Sequence, residues 1–237
     1  MVTVGISHYC EKVRWTLDSL RTTESGKYQL DYYESAHVPG LAACYTTLLD
    51  EGTSATPIVR IEEEGEGRVL KDSTVIMDEL SPPGFWGERQ EEGREYEEML
   101  DSQLGSGVRC FAYYHLLGRG NDGVLAGLGG DQTSLIEQKV FGVMAERGMI
   151  QPGMKKFMGI TEGGMEESRR VVRGVFEDVG ERVKGGGYIM GDTFTRADLT
   201  FASLASPLLN LTQFKNSRNM YDQFPKELRD FSEELRR

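Results

Sequence analysis

The sequence predicts a two-part chain, in which an α/β domain is followed by an all-helical domain. Short apolar runs alternate with helical patterns only as far as residue 81. From residue 88 onward, strand patterns vanish and apolar residues recur at helical spacing. The Ser-Pro-Pro-Gly segment at 81–84 is typical of a boundary. We therefore expect a first domain at 1–81, a linker at 82–90 and a helical domain at 91–237.

The first element is a buried strand at 2–6, which a tight turn joins to a helix at 9–21. Cys10 lies on the same helix face as Val13 and Leu17. Ser7 stands at the helix entrance, where unpaired backbone amides favour negative charge. The spacing Ser-x-x-Cys also matches a redox Cys-x-x-Cys pattern whose first cysteine is replaced by serine. This entrance is therefore suited to an anion such as a thiolate.

The next elements are predicted in the order strand, helix, strand, strand, helix, at 27–34, 40–49, 56–61, 68–70 and 74–80. A Gly-rich turn at 64–67 makes the last two strands an antiparallel hairpin. Asp72 and Ser73 cap the helix that follows. This order is that of a thioredoxin-like sheet, and Pro57 stands where that fold has a cis proline at the start of its third strand.

The second half is predicted to be helical at 91–117, 134–148 and 165–183, and the segment at 188–199 is predicted to lead into an apolar helix that ends near 209. Gly105 and Gly107 are expected to weaken the first of these helices. Residues 119–130 are rich in glycine and are predicted to form a loop. Thr195 and Asp198 form a pattern like a capping box. The charged tail after residue 224 is predicted to be a terminal surface helix.

The composition excludes several classes of partner. The net charge is −11 and the pI is about 4.9, which argues against nucleic acid and against an anionic membrane surface. No stretch approaches the roughly 20 apolar residues that span a bilayer. The first residues lack the pattern of a secretion signal. We expect a cytoplasmic protein, with import after removal of a transit peptide left open.

The three cysteines and three histidines are dispersed along the chain. An odd number of distant cysteines does not form a disulfide framework, and none of the spacings is that of a metal site. We therefore expect no metal and a reducing compartment.

Three separated motifs, at 7–15, at 56–59 with 71–73, and at 191–199, resemble the cytosolic glutathione S-transferase superfamily in its serine-type form. The first enters the opening helix, the second holds glutathione in that family, and the third resembles the family's capping box. They occur in the family's order and span most of the chain. The resemblance implies a thioredoxin-like domain followed by the family's helical domain.

The resemblance also implies roles for individual residues. Ser7 matches the residue beside the glutathione sulfur. Thr56 and Pro57 match the segment whose backbone pairs with the tripeptide, and Asp72 and Ser73 match the pair that holds its γ-glutamyl end. It implies glutathione as co-substrate, a small electrophile as second substrate, a detoxifying role and a homodimer. A Ser7 hydroxyl that donates to the sulfur would lower the thiol pKa and so favour the nucleophilic thiolate.

Several alternatives stay open on the sequence alone. The chain lacks the lysine that many members place near the glycyl carboxylate of glutathione, and His37 or Lys71 would have to replace it. Cys10 is either a core thiol or the nucleophile of a glutathione-dependent thiol transferase. Ser7 is either catalytic or only a helix cap. A third alternative is a non-catalytic binding module, which the missing lysine and the glycine-rich loop favour. His8 is interpreted as a solvated turn histidine.

Overall fold

The computed structural model describes residues 1–22, 32–49, 54–63, 66–81, 84–85, 87, 89–118, 120–121, 124, 133–209 and 221–237. Within them, one mixed sheet contains the strands β1 (Val2–Val4), β2 (Ser35–His37), β3 (Ile58–Glu63) and β4 (Glu66–Lys71). The strand order is β2-β1-β3-β4. β1 and β2 are parallel, while β3 is antiparallel to β1 and to β4.

The strand pairing brings two predicted binding segments to one end of the sheet. Ile58 at the start of β3 pairs with Val2 on one side and with Lys71 at the end of β4 on the other. Pro57 therefore precedes β3 at the same sheet end where Asp72 follows β4. The Thr56–Pro57 peptide bond is cis, which confirms the prediction for Pro57.

Helices surround the sheet and form the rest of the described chain. They are α1 (His8–Thr22), α2 (Pro39–Leu49), α3 (Ser73–Leu80), α4 (Gln90–Met99), α5 (Ser106–Leu116), α6 (Leu135–Glu146), α7 (Gln151–Met158), α8 (Glu162–Arg182), α9 (Arg196–Leu209) and α10 (Lys226–Leu235). A π turn (Leu100–Gly105) joins α4 to α5, and a 3₁₀ turn (Tyr221–Gln223) precedes α10. Among the described helices, none combines the length and apolar character needed to cross a membrane.

Two hydrophobic cores hold these elements together. The smaller lies between α1, α3 and the sheet and contains Val13, Leu17, Leu20, Val59, Ile76 and Leu80. The larger fills the helical half, and it also takes in Val4, Ile6, Val38 and Ala42 from the first half. α1 in addition packs directly against α9. The two halves of the chain therefore meet along a broad contact, and the recesses described below lie beside it.

A buried ion network crosses this contact. The Lys12 ammonium lies 2.6 Å from Glu97 Oε1 and 2.7 Å from Asp101 Oδ2, and the Lys12 side chain is fully buried. Arg196 at the start of α9 lies 3.1 Å from Glu97 Oε2 and 2.7 Å from Asp78 Oδ1. Since ions taken out of water must be paired, this network favours one relative position of α1, α3, α4 and α9.

Gly105 and Gly107 do not interrupt their helix, although it has π geometry from Leu100 to Gly105. The chain is helical without a break from Gln90 to Leu116. A Cβ atom at Gly105 would overlap the Tyr9 hydroxyl, and one at Gly107 would lie 2.8 Å from Val172 Cγ2. Both glycines are therefore explained by close packing against α1 and α8 rather than by a bend.

The capping box before α9 is confirmed. Asp198 Oδ2 accepts hydrogen bonds from the Thr195 amide at 2.8 Å and from the Thr195 hydroxyl at 2.9 Å. Asp198 Oδ1 accepts from the Ile189 amide at 2.8 Å. Because all three bonds are buried, Asp198 stabilises the helix start and the turn before it, and it has a structural role.

Two sequence predictions need correction. The second strand was expected at 27–34, but 27–31 lie outside the described residues and 32–34 are not strand. The strand is Ser35–His37, because these residues pair in parallel with β1. α10 is amphipathic rather than a plain surface helix, since it buries Leu228 and Phe231. Most of the predicted loop at 119–130 also lies outside the described residues, and the domain boundaries stay predictions.

Candidate functional site

Three adjoining recesses lie beside the contact between the two halves, the first two between the halves and the third within the helical half. The first has a volume of about 600 Å³. Its lining includes Thr56, Pro57, Asp72 and Ser73, the four residues that the sequence assigned to glutathione binding. Lys71 lines it as well. The recess thus gathers residues from both sheet-end segments described above.

Asp72 is the most constrained residue of the first recess. Its φ of 73° lies in the left-handed region, which a residue with a side chain rarely adopts. Such a conformation costs about 1–3 kcal/mol and occurs most often at functional sites. Asp72 Oδ1 accepts from the Thr74 amide at 2.8 Å and more weakly from the Val75 amide at 3.4 Å, so the carboxylate caps α3. Ser73 beside it is 4% exposed.

Thr56 connects the first recess to the second. Its backbone N–H and C=O have no hydrogen-bond partner among the described residues. An unpaired backbone next to a strand can bond an extended peptide in the manner of an added strand. The Thr56 side chain contacts the Cys10 thiol, behind the recess wall.

The second recess has a volume of about 340 Å³ and contains Ser7. It shares Tyr9, Ala55, Thr56 and Arg109 with the first recess. Much of the remaining wall is apolar, with Pro39, Ala42, Ala43, Phe157 and Met158. An apolar space beside a polar binding cleft is suited to a small organic molecule.

Ser7 caps α1 and faces the second recess at the same time. Its carbonyl accepts from the Glu11 amide at 3.0 Å, and its Oγ accepts from the Cys10 amide at 3.4 Å. The side-chain cap bond is therefore long. A hydroxyl that accepts one hydrogen bond keeps its own proton for donation to another atom. Capping and donation to a ligand are thus compatible at Ser7.

Cys10 is a core thiol in this structure. It is 0% exposed, and burial raises the pKa of the thiol. The Arg14 charge and the hydrogen bonds of the sulfur with Ser7, Val4 and Thr56 oppose this shift without cancelling it. Since the thiolate is the reactive form, a buried thiol with a raised pKa is poorly suited to nucleophilic work.

His8 is buried, so its interpretation as a solvated turn residue is wrong. It is 4% exposed, and its Nε2 lies 3.0 Å from the Gly105 carbonyl. A carbonyl only accepts, so Nε2 carries the proton and donates. The Tyr9 hydroxyl donates in the same way to the Asp101 carbonyl at 2.8 Å. No local pattern could predict these contacts, because the partners of His8 and Tyr9 lie 97 and 92 residues away along the chain.

Burial also dominates the ionisation of His8. It lowers the pKa of the imidazole from 6.5 to about 3, and the nearby Arg109 charge acts in the same direction. His8 is therefore neutral at physiological pH and carries no charge into the second recess.

Of the two proposed replacements for the missing lysine, only Lys71 lines a recess described here. His37 instead stacks on Tyr45, with ring centroids 3.9 Å apart. Its Nδ1 lies 3.1 Å from Glu137 Oε1 on α6. His37 therefore links β2 to the helical half.

Arg109 and Tyr113 are site residues that the sequence did not single out as functional. Arg109 is exposed and lines all three recesses. Tyr113, one turn later on α5, lines the second recess, and burial raises the pKa of its phenol. The spacing of four residues places both side chains on one helix face. Core residues have the same spacing, so this pattern does not by itself identify site residues.

The charges around the recesses are unevenly distributed. Glu98 and Asp101 join Asp72 in lining the first recess. The second recess has Arg109 as its only Lys, Arg, Asp or Glu among the described residues. No three His, Cys, Asp or Glu side chains are arranged for a metal ion in the part of the chain that the structure describes.

The fold is similar to that of solved glutathione S-transferase-type structures. Gtt2 from Saccharomyces cerevisiae matches with a TM-score of 0.55 and 12% identity, over 99% of this chain and 98% of that one. A glutathione S-transferase domain-containing protein from Marinobacter aquaeolei VT8 matches with a TM-score of 0.55 and 15% identity, over 99% and 94% of the two chains. No family model and no curated protein matches. The matches confirm the predicted fold class, a thioredoxin-like sheet followed by a helical domain.

Proposed function

We propose that the protein is a glutathione S-transferase, which joins the glutathione sulfur to an electrophilic small molecule. One observation carries the proposal. Ser7, Thr56, Pro57, Asp72 and Ser73 come from three distant parts of the sequence, and they line two recesses that open into each other.

The first recess has groups that fit the tripeptide. The Asp72 carboxylate suits the γ-glutamyl ammonium, while the Ser73 hydroxyl suits the carboxylate next to it. The unpaired backbone of Thr56 suits the peptide bonds of the cysteinyl residue. A tripeptide held at both points would direct its thiol toward Ser7.

Ser7 then acts on the sulfur. The thiol releases its proton to water, and the Ser7 hydroxyl donates a hydrogen bond to the thiolate that remains. The first amides of α1 favour the same negative charge. The sulfur forms a bond to the electrophilic carbon, and the leaving group departs with its bonding electron pair. Ser7 contributes by keeping the nucleophile ionised.

Replacing Ser7 with alanine is expected to lower kcat/KM for conjugation by about 100-fold, at the lower end of the range seen when one donor to an oxyanion is removed. The pKa of bound glutathione should rise, which ultraviolet absorbance of the thiolate measures during a pH titration. Glutathione affinity at low pH should change little. Ser7→Thr, which keeps a hydroxyl, is the matched control. Equal thiolate pKa values for wild type and Ser7→Ala would contradict the role of Ser7.

Replacing Asp72 with asparagine is expected to weaken glutathione binding about tenfold, because a charge-assisted bond to the ammonium becomes a neutral one. Stability should change by less than about 1 kcal/mol, since asparagine also caps helices and tolerates positive φ. Calorimetric titration measures the affinity. Asp230→Asn on α10, which removes the same charge outside the recess, should bind glutathione as the wild type does. Unchanged affinity in Asp72→Asn would exclude the proposed ammonium contact.

The thiol-transferase alternative has less support, because the Cys10 thiol is buried and its pKa is raised. The non-catalytic alternative would be favoured if glutathione bound without any thioether product. A homodimer and a cytoplasmic location stay predictions.

A further inference from the structure

The third recess extends the Ser7 recess away from the sheet. It has a volume of about 360 Å³ and is lined mainly by residues of the π turn, α5 and α8. Arg109 and Met158 line it together with the second recess. Its wall carries hydroxyl groups at Ser102, Ser106 and Ser168. None of the five residues proposed for glutathione chemistry lines it, so it adjoins the reaction site without belonging to the tripeptide cleft.

Arg109 stands where the second and third recesses meet, and its charge is uncompensated there. Among the described residues, its guanidinium makes no hydrogen bond or ion pair. By contrast, Arg14 and Arg196 are buried and paired with carboxylates. Burial lowers the pKa of His8 and raises the pKa of Tyr9 and Tyr113, and the Arg109 charge acts in the lowering direction on all three, so it acts on the side of α5 that faces the second recess.

No carboxylate among the described residues forms an ion pair with Arg109, although Asp72, Glu98 and Asp101 line the first recess with it. No aspartate or glutamate among the described residues lines the second recess. Glu167 lines the third, but it pairs with Arg170 on the exposed face of α8. A planar guanidinium beside an apolar space is suited to a carboxylate on an otherwise apolar ligand, which it can bind through two parallel hydrogen bonds.

We propose that Arg109 binds a carboxylate on the electrophile, so that the second substrate is an organic acid with an electrophilic carbon. The apolar wall of the second recess holds the reactive part beside Ser7, and the carboxylate points along α5 toward the third recess. This inference rests on the proposed function for the identity of the nucleophile.

A matched pair of probes tests it: a chlorodinitrobenzoate and the corresponding chlorodinitrobenzamide, which differ in charge but little in shape. In both, the glutathione sulfur bonds to the ring carbon, chloride leaves with the bonding electron pair and the thiol proton goes to water. Arg109→Met should lower kcat/KM for the benzoate about 10- to 100-fold and leave the benzamide within about twofold. Arg109→Lys should retain part of the preference for the acid.

Binding of the benzoate to the glutathione-free protein gives a readout that needs no catalysis. Calorimetry should show an affinity loss of about tenfold or more in Arg109→Met. Arg89→Met removes an exposed arginine outside the recesses and should match the wild type. An equal loss for both probes, or equal wild-type affinity for acid and amide, would overturn the inference. Tight, Arg109-dependent binding of the acid without any thioether product would instead overturn the proposed function.

Discussion

Replacing Lys12 with methionine is expected to lower the free energy of unfolding by about 3–5 kcal/mol. The ammonium is fully buried and bonds both Glu97 and Asp101. Its removal leaves Glu97, which is 1% exposed, with Arg196 as the remaining cation within ion-pair distance among the described residues. Burial already raises the pKa of Glu97. An uncompensated carboxylate inside the protein is costly, and urea denaturation measures the loss.

Two further variants separate this effect from a simple loss of charge. Arg94→Met breaks the more exposed pair with Asp78 and should cost less than about 1 kcal/mol. Lys12→Met combined with Glu97→Gln should recover part of the loss, because the orphaned charge is gone, with a coupling energy of about 1–3 kcal/mol. A Lys12→Met protein as stable as Arg94→Met would show that the buried network does not stabilise the contact between the two halves.

Acidification is expected to destabilise the protein through His8. The unfolded chain binds a proton on His8 near pH 6.5, whereas the folded chain binds it only near pH 3. The stabilisation from neutral His8 is therefore complete above about pH 6.5 and is lost as the pH falls through this window. At about 1.4 kcal/mol for each pKa unit, the total is about 5 kcal/mol. Urea denaturation at a series of pH values measures it.

His8→Gln is the variant that isolates this contribution. Glutamine has an N–H for the Gly105 carbonyl but does not ionise. Between about pH 7 and about pH 4, the variant should therefore lose about 3 kcal/mol less stability than the wild type. His115→Gln is the comparison variant. Burial also lowers the pKa of the partly buried His115, so this variant measures how much another histidine contributes to the pH dependence. Parallel stability curves for wild type and His8→Gln would contradict the assignment.

Short-range patterns were sufficient for much of the fold. The face that carries Cys10, Val13 and Leu17 was visible in helical spacing, and all three side chains are buried. The cap at Asp72 and the capping box at Asp198 were visible as residue types a few positions from a helix start. Such features depend on neighbours along the chain, so one sequence is sufficient to predict them.

Features that depend on distant partners were missed or misplaced. The burial of His8 depends on the Gly105 carbonyl in the other half of the chain. The second strand was displaced because its position is set by pairing with β1, while the tyrosines just before it favour strand only by composition. Arg109 gave no signal, because an arginine on a helix is ordinary until the fold places it beside Ser7.

The π turn at Leu100–Gly105 determines how the helix that follows it, α5, is rotated about its own axis. A π turn holds more residues than an α turn of about 3.6 residues, so α5 is rotated relative to an uninterrupted α-helix. Loss of one residue from this turn would rotate α5 by about 100°. Arg109 and Tyr113 would then swing away from Ser7, while Tyr96 and Glu97 upstream would keep their places. The composition of the cleft thus depends on chain length in this turn as well as on residue identity, and aligned relatives with one residue fewer there would present a different helix face to the substrate.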